Sequence, residues 1–378
     1  MFGLMLTATV AAMSFYFFWR FWSAFRGKGW RVYAIVGVVL AALAGARVWG
    51  RVLDVAGWHG SAEVGRLIML IWMVLLAWFL TAGVAMQIWT VLASLAARFW
   101  KPAGAVRLAP RVQFFAAWAV VALFTAAGLW EACDVRVEHV VVEVDRMPPG
   151  SDSIRIAQIS DLHVGSVFCR QRLKAAVALL ADLKPDIIVS TGDLVDGELH
   201  EIDHMAEDLF AVDAPLGKYA VLGNHEFYSG ERNSLIFHQH AGFKVLRQQS
   251  VEPLEGLRIV GVDDPAAFRF TDGRFVDETA VLRGGRRDDV VVLLKHRPDV
   301  TRAAVGLFDI QLSGHTHGGQ VLPFNWLIRI RHAFAPGGNI LGDGSMLYVS
   351  RGTGTWGPPF RVFARPEVTL IEVRPAAR

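Results

Sequence analysis

Long apolar runs fill the first third of the chain and then stop. Four of them share a single charged residue, Arg47, and they cover residues 2–19, 32–49, 67–95 and 112–130. About 20 apolar residues suffice for a helix to cross a bilayer, whereas the helices of soluble proteins usually alternate polar and apolar faces. The pattern therefore predicts an integral, multi-pass membrane anchor of about four helices over residues 1–131. The alternative is a very apolar helical core.

The pattern changes after Glu131. Residues 135–144 alternate between apolar and polar side chains as in a strand, and turn-forming residues follow. From residue 154 onward, short apolar runs alternate with segments of helical periodicity, such as residues 169–184. We therefore expect a linker and first strand at residues 132–150, followed by an α/β domain with a central apolar sheet at residues 151–378.

Charge is shared unequally between these two parts. Of 38 basic and 35 acidic residues, eleven and three lie within residues 1–131, which leaves 27 basic and 32 acidic residues in the rest. The C-terminal part is therefore acidic, although the whole chain carries a net charge of +3. Proteins that bind nucleic acid generally present a basic surface, so the charge pattern disfavours a nucleic-acid partner.

The basic residues of the anchor predict its orientation. In a four-helix anchor the first and third connecting loops lie on one side of the membrane, and these loops carry Arg20, Arg26, Lys28, Arg31, Arg98, Lys101, Arg107 and Arg111. The middle loop has Arg47, Arg51 and Arg66, offset by Asp54 and Glu63. Because cytoplasmic loops carry the excess of Lys and Arg, we expect the C-terminal domain on the extracytoplasmic side of a bacterial inner membrane.

Five strand-like runs of the C-terminal domain end in residues that can bind metal. The residues that follow these runs are Asp161 and His163, Asp193, Asn224 and His225, His296, and His315 and His317. In α/β proteins, sites form beyond the carboxyl ends of the strands. Residues i and i+2 of an extended segment point to the same side. Extended segments at Asp161–His163 and His315–His317 would therefore each aim two ligands at one centre, with Leu162 and Thr316 turned away.

Each of these residues also has an ordinary structural interpretation. Asp161 could cap a helix, Asp193 could form a turn with Gly192, and His296 stands in a short, common sequence and could be structural. The recurrence of carboxylate and imidazole groups at five strand ends favours the metal centre over these alternatives. Asp196 is expected to support the site rather than to bind metal.

The motifs resemble, in order, those of the calcineurin-like metallophosphoesterases. The matching stretches are SDLHVG, TGDLVDG, LGNHEFY, KHRP and SGHTHGGQ, and the resemblance covers residues 151–375, including YVSRGTGT. It looks closest to the membrane-tethered branch of that family. The resemblance implies a four-layer α/β/β/α sandwich around two metal ions. Glu226 occupies a place where the family usually has Asp, and the longer side chain bears on how His225 is oriented.

The resemblance also implies roles for the matching residues. One metal would be held by Asp161, His163 and His317, the other by Asn224, His296 and His315, and Asp193 would bridge them. His225 would protonate the leaving oxygen of a phosphoester. The mixture of oxygen and nitrogen donors suits Mn²⁺, Zn²⁺ or Fe, and a metal pair of this kind activates water for attack on phosphorus.

Several functions remain open at this point. We expect a membrane-anchored enzyme that cleaves a phosphodiester or pyrophosphate bond of a lipid-linked or membrane-proximal phosphoester. Relatives in this branch are associated with UDP-2,3-diacylglucosamine cleavage in lipid A synthesis, which is one alternative. A non-catalytic membrane receptor or scaffold that retains the fold is another, and a nuclease is a third.

The stretch PFNWLIRIRHAF, residues 323–334, mixes apolar and basic residues. Such a segment can lie against a membrane surface and admit a lipid phosphate, in which case Trp326 and Ile330 would contact the substrate. The alternative is an ordinary packed loop and strand.

Overall fold

The computed structural model describes residues 2–58, 60–166, 169–196, 199–270, 277–286, 288–342 and 344–376. The chain divides into two compact units, Met1–Gly128 and Leu129–Arg378. The helices that begin in the first unit are α1 Phe2–Ala24, α2 Trp30–Ala44, α3 Ala46–Val55, α4 Ser61–Ala96 and α5 Pro110–Cys133, with a 3-10 helix at Lys101–Val106.

Among the described residues, α1, α4 and α5 are each long and apolar enough to cross a membrane. Helices α2 and α3 pass the same test only as a pair, and a bend of 64° separates them. The prediction of about four apolar helices is confirmed, but the span predicted over residues 32–49 is not one helix. It bends at Gly45, whose φ of −86° and ψ of 2° leave the helical range, as a residue with low helix propensity allows.

Contacts within the first unit define the directions of its helices. Nη2 of Arg20 in α1 donates to Oε1 of Gln113 in α5 (2.6 Å), and Nε2 of Gln113 donates to Oγ1 of Thr90 in α4 (3.0 Å). Ser61 is the first residue of α4, and at 1.5 Å per residue it lies about 40 Å along the helix from Thr90. At this opposite end of α4, Oγ of Ser61 donates to the carbonyl of Gly50 in α3 (2.8 Å). The α2–α3 pair therefore connects the end of the unit where α1 finishes to the end where α4 begins.

The second unit contains two six-stranded sheets. In the first the strand order is β1-β12-β2-β3-β4-β5, and in the second it is β10-β11-β9-β8-β7-β6. The strands are β1 Arg136–Val144, β2 Ile154–Ile159, β3 Ile187–Ser190, β4 Lys218–Ala220, β5 Lys244–Val245, β6 Gln249–Leu254, β7 Leu257–Val262, β8 Val290–Lys295, β9 Ile310–Ser313, β10 Gly337–Ile340, β11 Met346–Val349 and β12 Glu367–Pro375. All five strand-like runs that precede the candidate metal ligands form strands.

Short helices connect these strands. They are α6 Cys169–Leu183, α7 Leu199–Ile202, α8 Ala206–Phe210, α9 Asn224–Ser229, α10 Glu231–His240, α11 Glu278–Arg283 and α12 Phe324–Arg331. The 3-10 helices of this unit are Asp203–Met205, Pro265–Arg269, Arg302–Ala304 and His317–Gly319. Helix α6 matches the helical periodicity of residues 169–184, and Pro185 follows it.

Alternating side chains build the layers of the second unit. Ile156 of the first sheet belongs to the same buried cluster as Ile259 and Val292 of the second, so one face of each sheet packs on the other. The opposite face of the first sheet packs on α6, as the cluster of Ala157 with Leu173 shows. The second sheet packs its outer face on α11 in the same way. Since successive strand residues face opposite sides, this gives the predicted α/β/β/α order.

Candidate metal centre

The predicted ligands follow strands that are neighbours in their sheets. Asp161, Asp193 and Asn224 come after β2, β3 and β4, which lie side by side and run parallel in the first sheet. His296 and His315 come after β8 and β9, which are parallel neighbours in the second sheet. Carboxyl ends of parallel strands meet at one edge of a sheet, so the ligands approach one another from both sheets.

The first group of ligands is compact and buried. Nε2 of His163 lies 3.1 Å from Nε2 of His317. Nε2 of His317 lies 3.4 Å from Oδ1 of Asp161. Ligand atoms from all three residues lie within 4.8 Å of one another, as a metal ion requires.

A second group lies beside the first and shares a carboxylate with it. Nε2 of His296 lies 3.2 Å from Oδ2 of Asp193 and 3.1 Å from Nδ1 of His315. The same Oδ2 atom of Asp193 lies 4.0 Å from Nε2 of His163 in the first group. Asp193 thus stands between the two groups, where the bridging role implied by the resemblance would place it.

Asn224 supplies an observation that favours metal binding. Its Oδ1 atom is buried and has no hydrogen-bond partner among the described residues. Buried polar atoms are normally paired, so an unpaired amide oxygen on the residue before His225, whose amide donates to Asp193, fits a donor reserved for a cation. Four imidazoles, two carboxylates and one amide form a donor set that suits first-row transition metals.

The backbone at five ligands adopts the left-handed region. The φ angles are 52° at Asp161, 51° at His163, 52° at Asp193, 71° at His315 and 50° at His317. The expectation that extended segments aim the paired ligands was therefore wrong, although the ligands still converge. Such conformations cost about 1 kcal/mol or more for residues other than glycine and persist where surrounding contacts hold them.

Hydrogen bonds hold these strained loops. The amide of His315 donates to both carboxylate oxygens of Asp161 at 3.0 Å, and the amide of His163 donates to the carbonyl of Asp193 at 3.0 Å. Leu162, between the first two ligands, is fully buried in the core between the first sheet and α6. The loops are thus tied to one another across the two sheets.

Neighbouring groups orient the imidazoles. Nδ1 of His296 lies 2.9 Å from the carbonyl oxygen of Thr191, and Nδ1 of His163 lies 3.4 Å from Oδ2 of Asp196. In both rings Nε2 is left to face the centre of the site, and the hydrogen bond of His296 with Thr191 is the kind that fixes the tautomer of a metal-binding histidine. Asp196 therefore supports the site, as its position after Asp193 suggested.

His225 lies beside both groups, and its ring also comes within 4.8 Å of donor atoms of His163 and Asp193, a distance at which the three could hold a metal ion. Its amide donates to Oδ1 of Asp193 (2.8 Å), and its Nδ1 lies 2.9 Å from Oδ1 of Asp196. Its ring centroid is 4.8 Å from that of His163. Burial disfavours the charged ring, but the hydrogen bond with Asp196 and the charge of Asp193 outweigh it, so the pKa of His225 is raised above its ordinary value.

Glu226 is next to His225 in the sequence, but its carboxylate binds the backbone of other residues. Its Oε2 accepts hydrogen bonds from the amides of Asp193 (3.0 Å) and Gly223 (2.8 Å), and its Oε1 accepts one from the amide of Val195 (3.0 Å). The side chain is fully buried. Burial, with the charge of Asp193, raises the pKa of Glu226 to about 7. The carboxylate joins the loops after β3 and β4.

We expect Glu226→Gln to lower the thermal unfolding midpoint of the detergent-purified protein. The amide of glutamine cannot accept at both positions, and leaving a buried donor without its acceptor costs about 1–3 kcal/mol. In a unit of this size that corresponds to a drop of about 2–12 °C. Glu207→Gln, on an exposed position of α8, is the matched control. A midpoint as high as that of the control would contradict the role of Glu226.

Three further residues of the site escaped the sequence analysis. Arg361 is fully buried, and its Nη2 lies 3.3 Å from Nδ1 of His317 while its Nη1 donates to the carbonyl of His317 (3.3 Å). The rings of Tyr228 and Trp356 lie 5.6 Å and 5.9 Å from that of His225. Tyr228 ends the motif LGNHEFY and could have been found there, whereas the other two stand outside the ligand motifs.

The structure places Trp326 and Ile330 on helix α12 rather than among the metal ligands. The alternative of a packed loop and strand was wrong, because residues 324–331 form a helix in which every residue is at least partly exposed. Trp326 is 61% exposed and Ile330 is 83% exposed. A contact of these two residues with substrate stays a prediction.

Comparison with known proteins agrees with the geometry. The family model for calcineurin-like phosphoesterases matches residues 154–319. A metallophosphoesterase of Aquifex aeolicus is 40% identical over 257 residues, covering 68% of this chain and 98% of the relative. A transmembrane protein with a metallophosphoesterase domain from Danio rerio is 29% identical over 274 residues, covering 68% of this chain but only 62% of that protein.

Among solved structures, a dimetal phosphatase from Danio rerio aligns with a TM-score of 0.37 at 13% identity, covering 57% of this chain and 98% of that one. A likeness this distant carries no argument by itself. The ligand groups, the family match and the Aquifex relative do. The chain therefore belongs to the calcineurin-like metallophosphoesterases, a family of phosphoester hydrolases with a dinuclear metal site.

Proposed function

We propose that this protein is a membrane-anchored hydrolase that cleaves a phosphodiester or pyrophosphate bond of a lipid-linked or membrane-proximal substrate. The observation that carries the proposal is the pair of adjacent ligand groups, one of Asp161, His163 and His317 and the other of Asp193, His296 and His315, with His225 beside Asp193. The apolar helices α1, α4 and α5 support a site of action at a membrane.

The proposed cofactors are two divalent ions, Mn²⁺, Zn²⁺ or Fe. Asp161, His163 and His317 would hold one, Asn224, His296 and His315 the other, with Asp193 shared. When bound, such a pair lowers the pKa of water and offsets the negative charge of a phosphoryl group. The protein contributes the fixed positions of these donors, because buried and hydrogen-bonded loops carry them.

His225 is the proposed proton donor to the leaving oxygen. Its Nδ1 is engaged with Asp196, which leaves Nε2 as the ring atom that can reach a substrate. The raised pKa of His225 keeps the ring protonated to higher pH than an ordinary histidine. Tyr228 and Trp356 flank this ring and would form the walls beside the leaving group.

The experiment that tests the proposal is hydrolysis of a panel of lipid and nucleotide phosphoesters by detergent-purified protein of measured metal content. We expect turnover of at least one membrane-lipid phosphodiester or pyrophosphate. UDP-2,3-diacylglucosamine belongs in the panel as the more specific alternative. If metal-replete protein left bis-p-nitrophenyl phosphate and every other phosphoester intact, the receptor or scaffold alternative would replace the enzyme.

Exposed apolar residues beside the site favour a lipid substrate. We expect the double substitution Trp326→Ser and Ile330→Ser to lower hydrolysis of a lipid phosphodiester more than that of a soluble chromogenic ester, because only a lipid would use the apolar surface. Phe210→Ser, which changes an equally exposed apolar residue, is the control. Equal losses on both substrates would argue against the lipid.

The proposed location of the catalytic unit is the extracytoplasmic side of a bacterial inner membrane. The end of the first unit where α1 finishes and α5 begins carries most of the basic loop residues, among them Arg26, Lys28 and Lys101. Cytoplasmic loops carry such an excess. A reporter active only in the periplasm should work when fused to the C-terminus. Activity of a cytoplasmic reporter at the same point would reverse the orientation.

A further inference from the structure

Helix α12 presents an apolar stripe bordered by arginines. At 100° per residue, the exposed side chains of Trp326, Leu327 and Ile330 lie within an arc of about 100° of the helix surface. Arg329 and Arg331 are exposed on either side of this stripe. An apolar face with flanking basic residues is typical of helices that lie in the interface of a bilayer.

The helix stands next to the metal centre. It packs on the turn that contains His317, since a Cβ at Gly319 would lie 2.2 Å from the Cα of Asn325. The ring of His332, which follows α12, lies 6.4 Å from the ring of His315. Whatever covers the exposed stripe therefore comes close to the mouth of the site.

A second segment, residues 362–364, lies beside the same turn and is held by Glu131. The amide of Val362 donates to the carbonyl of Gln320 (2.9 Å). Glu131, near the end of α5, accepts hydrogen bonds from the amides of Phe363 (3.1 Å) and Ala364 (2.7 Å). Phe363 is 73% exposed despite its apolar ring. Phe363 therefore adds an exposed apolar side chain beside the metal turn.

A cationic and an aromatic side chain make contact next to this segment. The guanidinium carbon of Arg365 lies 5.6 Å from the ring centroid of Trp130. Trp130 is exposed at the end of α5, where the membrane interface favours tryptophan. Both residues belong to the second unit, which begins at Leu129.

Charge indicates which lipid surface would be bound. Between Asp309 and Asp343 the sequence contains no Asp or Glu, while Arg329 and Arg331 lie in this stretch. Basic residues near a membrane surface are attracted by anionic lipids. The C-terminal part of the chain is acidic, but the segment around α12 carries only basic charges. This segment is therefore complementary to an anionic bilayer.

We propose that α12, together with Phe363, is a membrane-contact surface that lies among the headgroups of a bilayer containing anionic lipids. The surface brings the mouth of the metal site to the lipid headgroups. The inference concerns binding of the bilayer itself, and it does not depend on a lipid being the substrate.

The test measures where Ile330 lies while the full-length protein is in a lipid nanodisc. A spin label is attached to an Ile330→Cys variant that also carries Cys133→Ser, because Cys133 is exposed whereas Cys169 is buried. Phe210→Cys in the same background is the control, since Phe210 is also apolar and exposed (64%) but lies near Lys218, at the start of β4 and away from the metal edge. The label is relaxed either by oxygen, which enters the bilayer, or by a water-soluble nickel chelate.

We expect the label at position 330 to be relaxed by oxygen and shielded from nickel, and the label at position 210 to show the reverse. The shielding should be greater in discs with phosphatidylglycerol than in discs of phosphatidylcholine alone, and Arg329→Gln with Arg331→Gln should remove that difference. Equal access of nickel at positions 330 and 210 would overturn the proposal. Dipolar broadening between labels at position 330 would also overturn it, because a second copy of the chain would then cover α12. Since no turnover is measured, failure here is distinguishable from failure of the proposed lipid hydrolysis.

Discussion

Asp193→Asn should remove bound metal and phosphoesterase activity together. Oδ2 of Asp193 lies 3.2 Å from Nε2 of His296 and 4.0 Å from Nε2 of His163, so one carboxylate serves both ligand groups. The substitution removes the negative charge that two cations would share. Loss of a supporting residue outside the ligand set already costs about 10–100-fold in metal affinity, and we expect a larger loss here.

The measurement is metal content per chain beside hydrolysis of bis-p-nitrophenyl phosphate, both on detergent-purified protein. Asp182→Asn makes the same chemical change at an exposed position of α6 and should leave both quantities unaltered. An Asp193→Asn protein that keeps two metal ions and full activity would show that the carboxylate does not bridge the two groups.

His225→Ala should retain the metal ions and lose most turnover. The imidazole lies beside the ligand groups, but its Nδ1 is bound to Asp196 and its Nε2 is left for the substrate. General acid catalysis contributes about 10²–10⁴ in rate, so kcat should fall by a factor in that range. His225 contributes to the placement of Asp193 through its backbone amide, which the substitution retains.

The decisive comparison is again metal content against kcat. His139→Ala, at an exposed position of β1, provides the control. The loss should be smaller for an ester with a very acidic leaving group, which needs little protonation, than for an alkyl ester. If the His225→Ala protein lost its metal ions, His225 would belong with the ligands rather than with the leaving group.

The candidate ligands could be found from the sequence because each stands directly after an apolar strand. Ile187–Ser190 is fully buried and reads as a short apolar run, and Asp193 follows it within three residues. Ile310–Ser313 leads to His315 in the same way. The carboxyl ends of such strands lie at one edge of any parallel sheet. The position of each residue directly after a strand was therefore enough to predict that the ligands lie close together.

Other features depend on tertiary contacts that local sequence does not show. The left-handed backbone at His163 is held by a hydrogen bond from its amide to the carbonyl of Asp193, which follows the neighbouring strand β3. Arg361 contacts His317, which lies 44 residues earlier in the chain.

The apolar run over residues 32–49 does not reveal the bend at Gly45, since hydropathy reports composition and not backbone direction. Residues 324–331 combine apolar and basic side chains that are compatible with either a loop and strand or a helix, and in the structure they form a helix that packs closely on Gly319.

The central claim is that seven side chains from two sheets hold a pair of metal ions. Anomalous diffraction from crystals of the Mn²⁺-loaded protein tests it most directly. We expect two peaks per chain about 4 Å apart, one bounded by Asp161, His163 and His317 and the other by Asn224, His296 and His315, with Asp193 between them. A single peak, or a pair located elsewhere in the chain, would contradict the account.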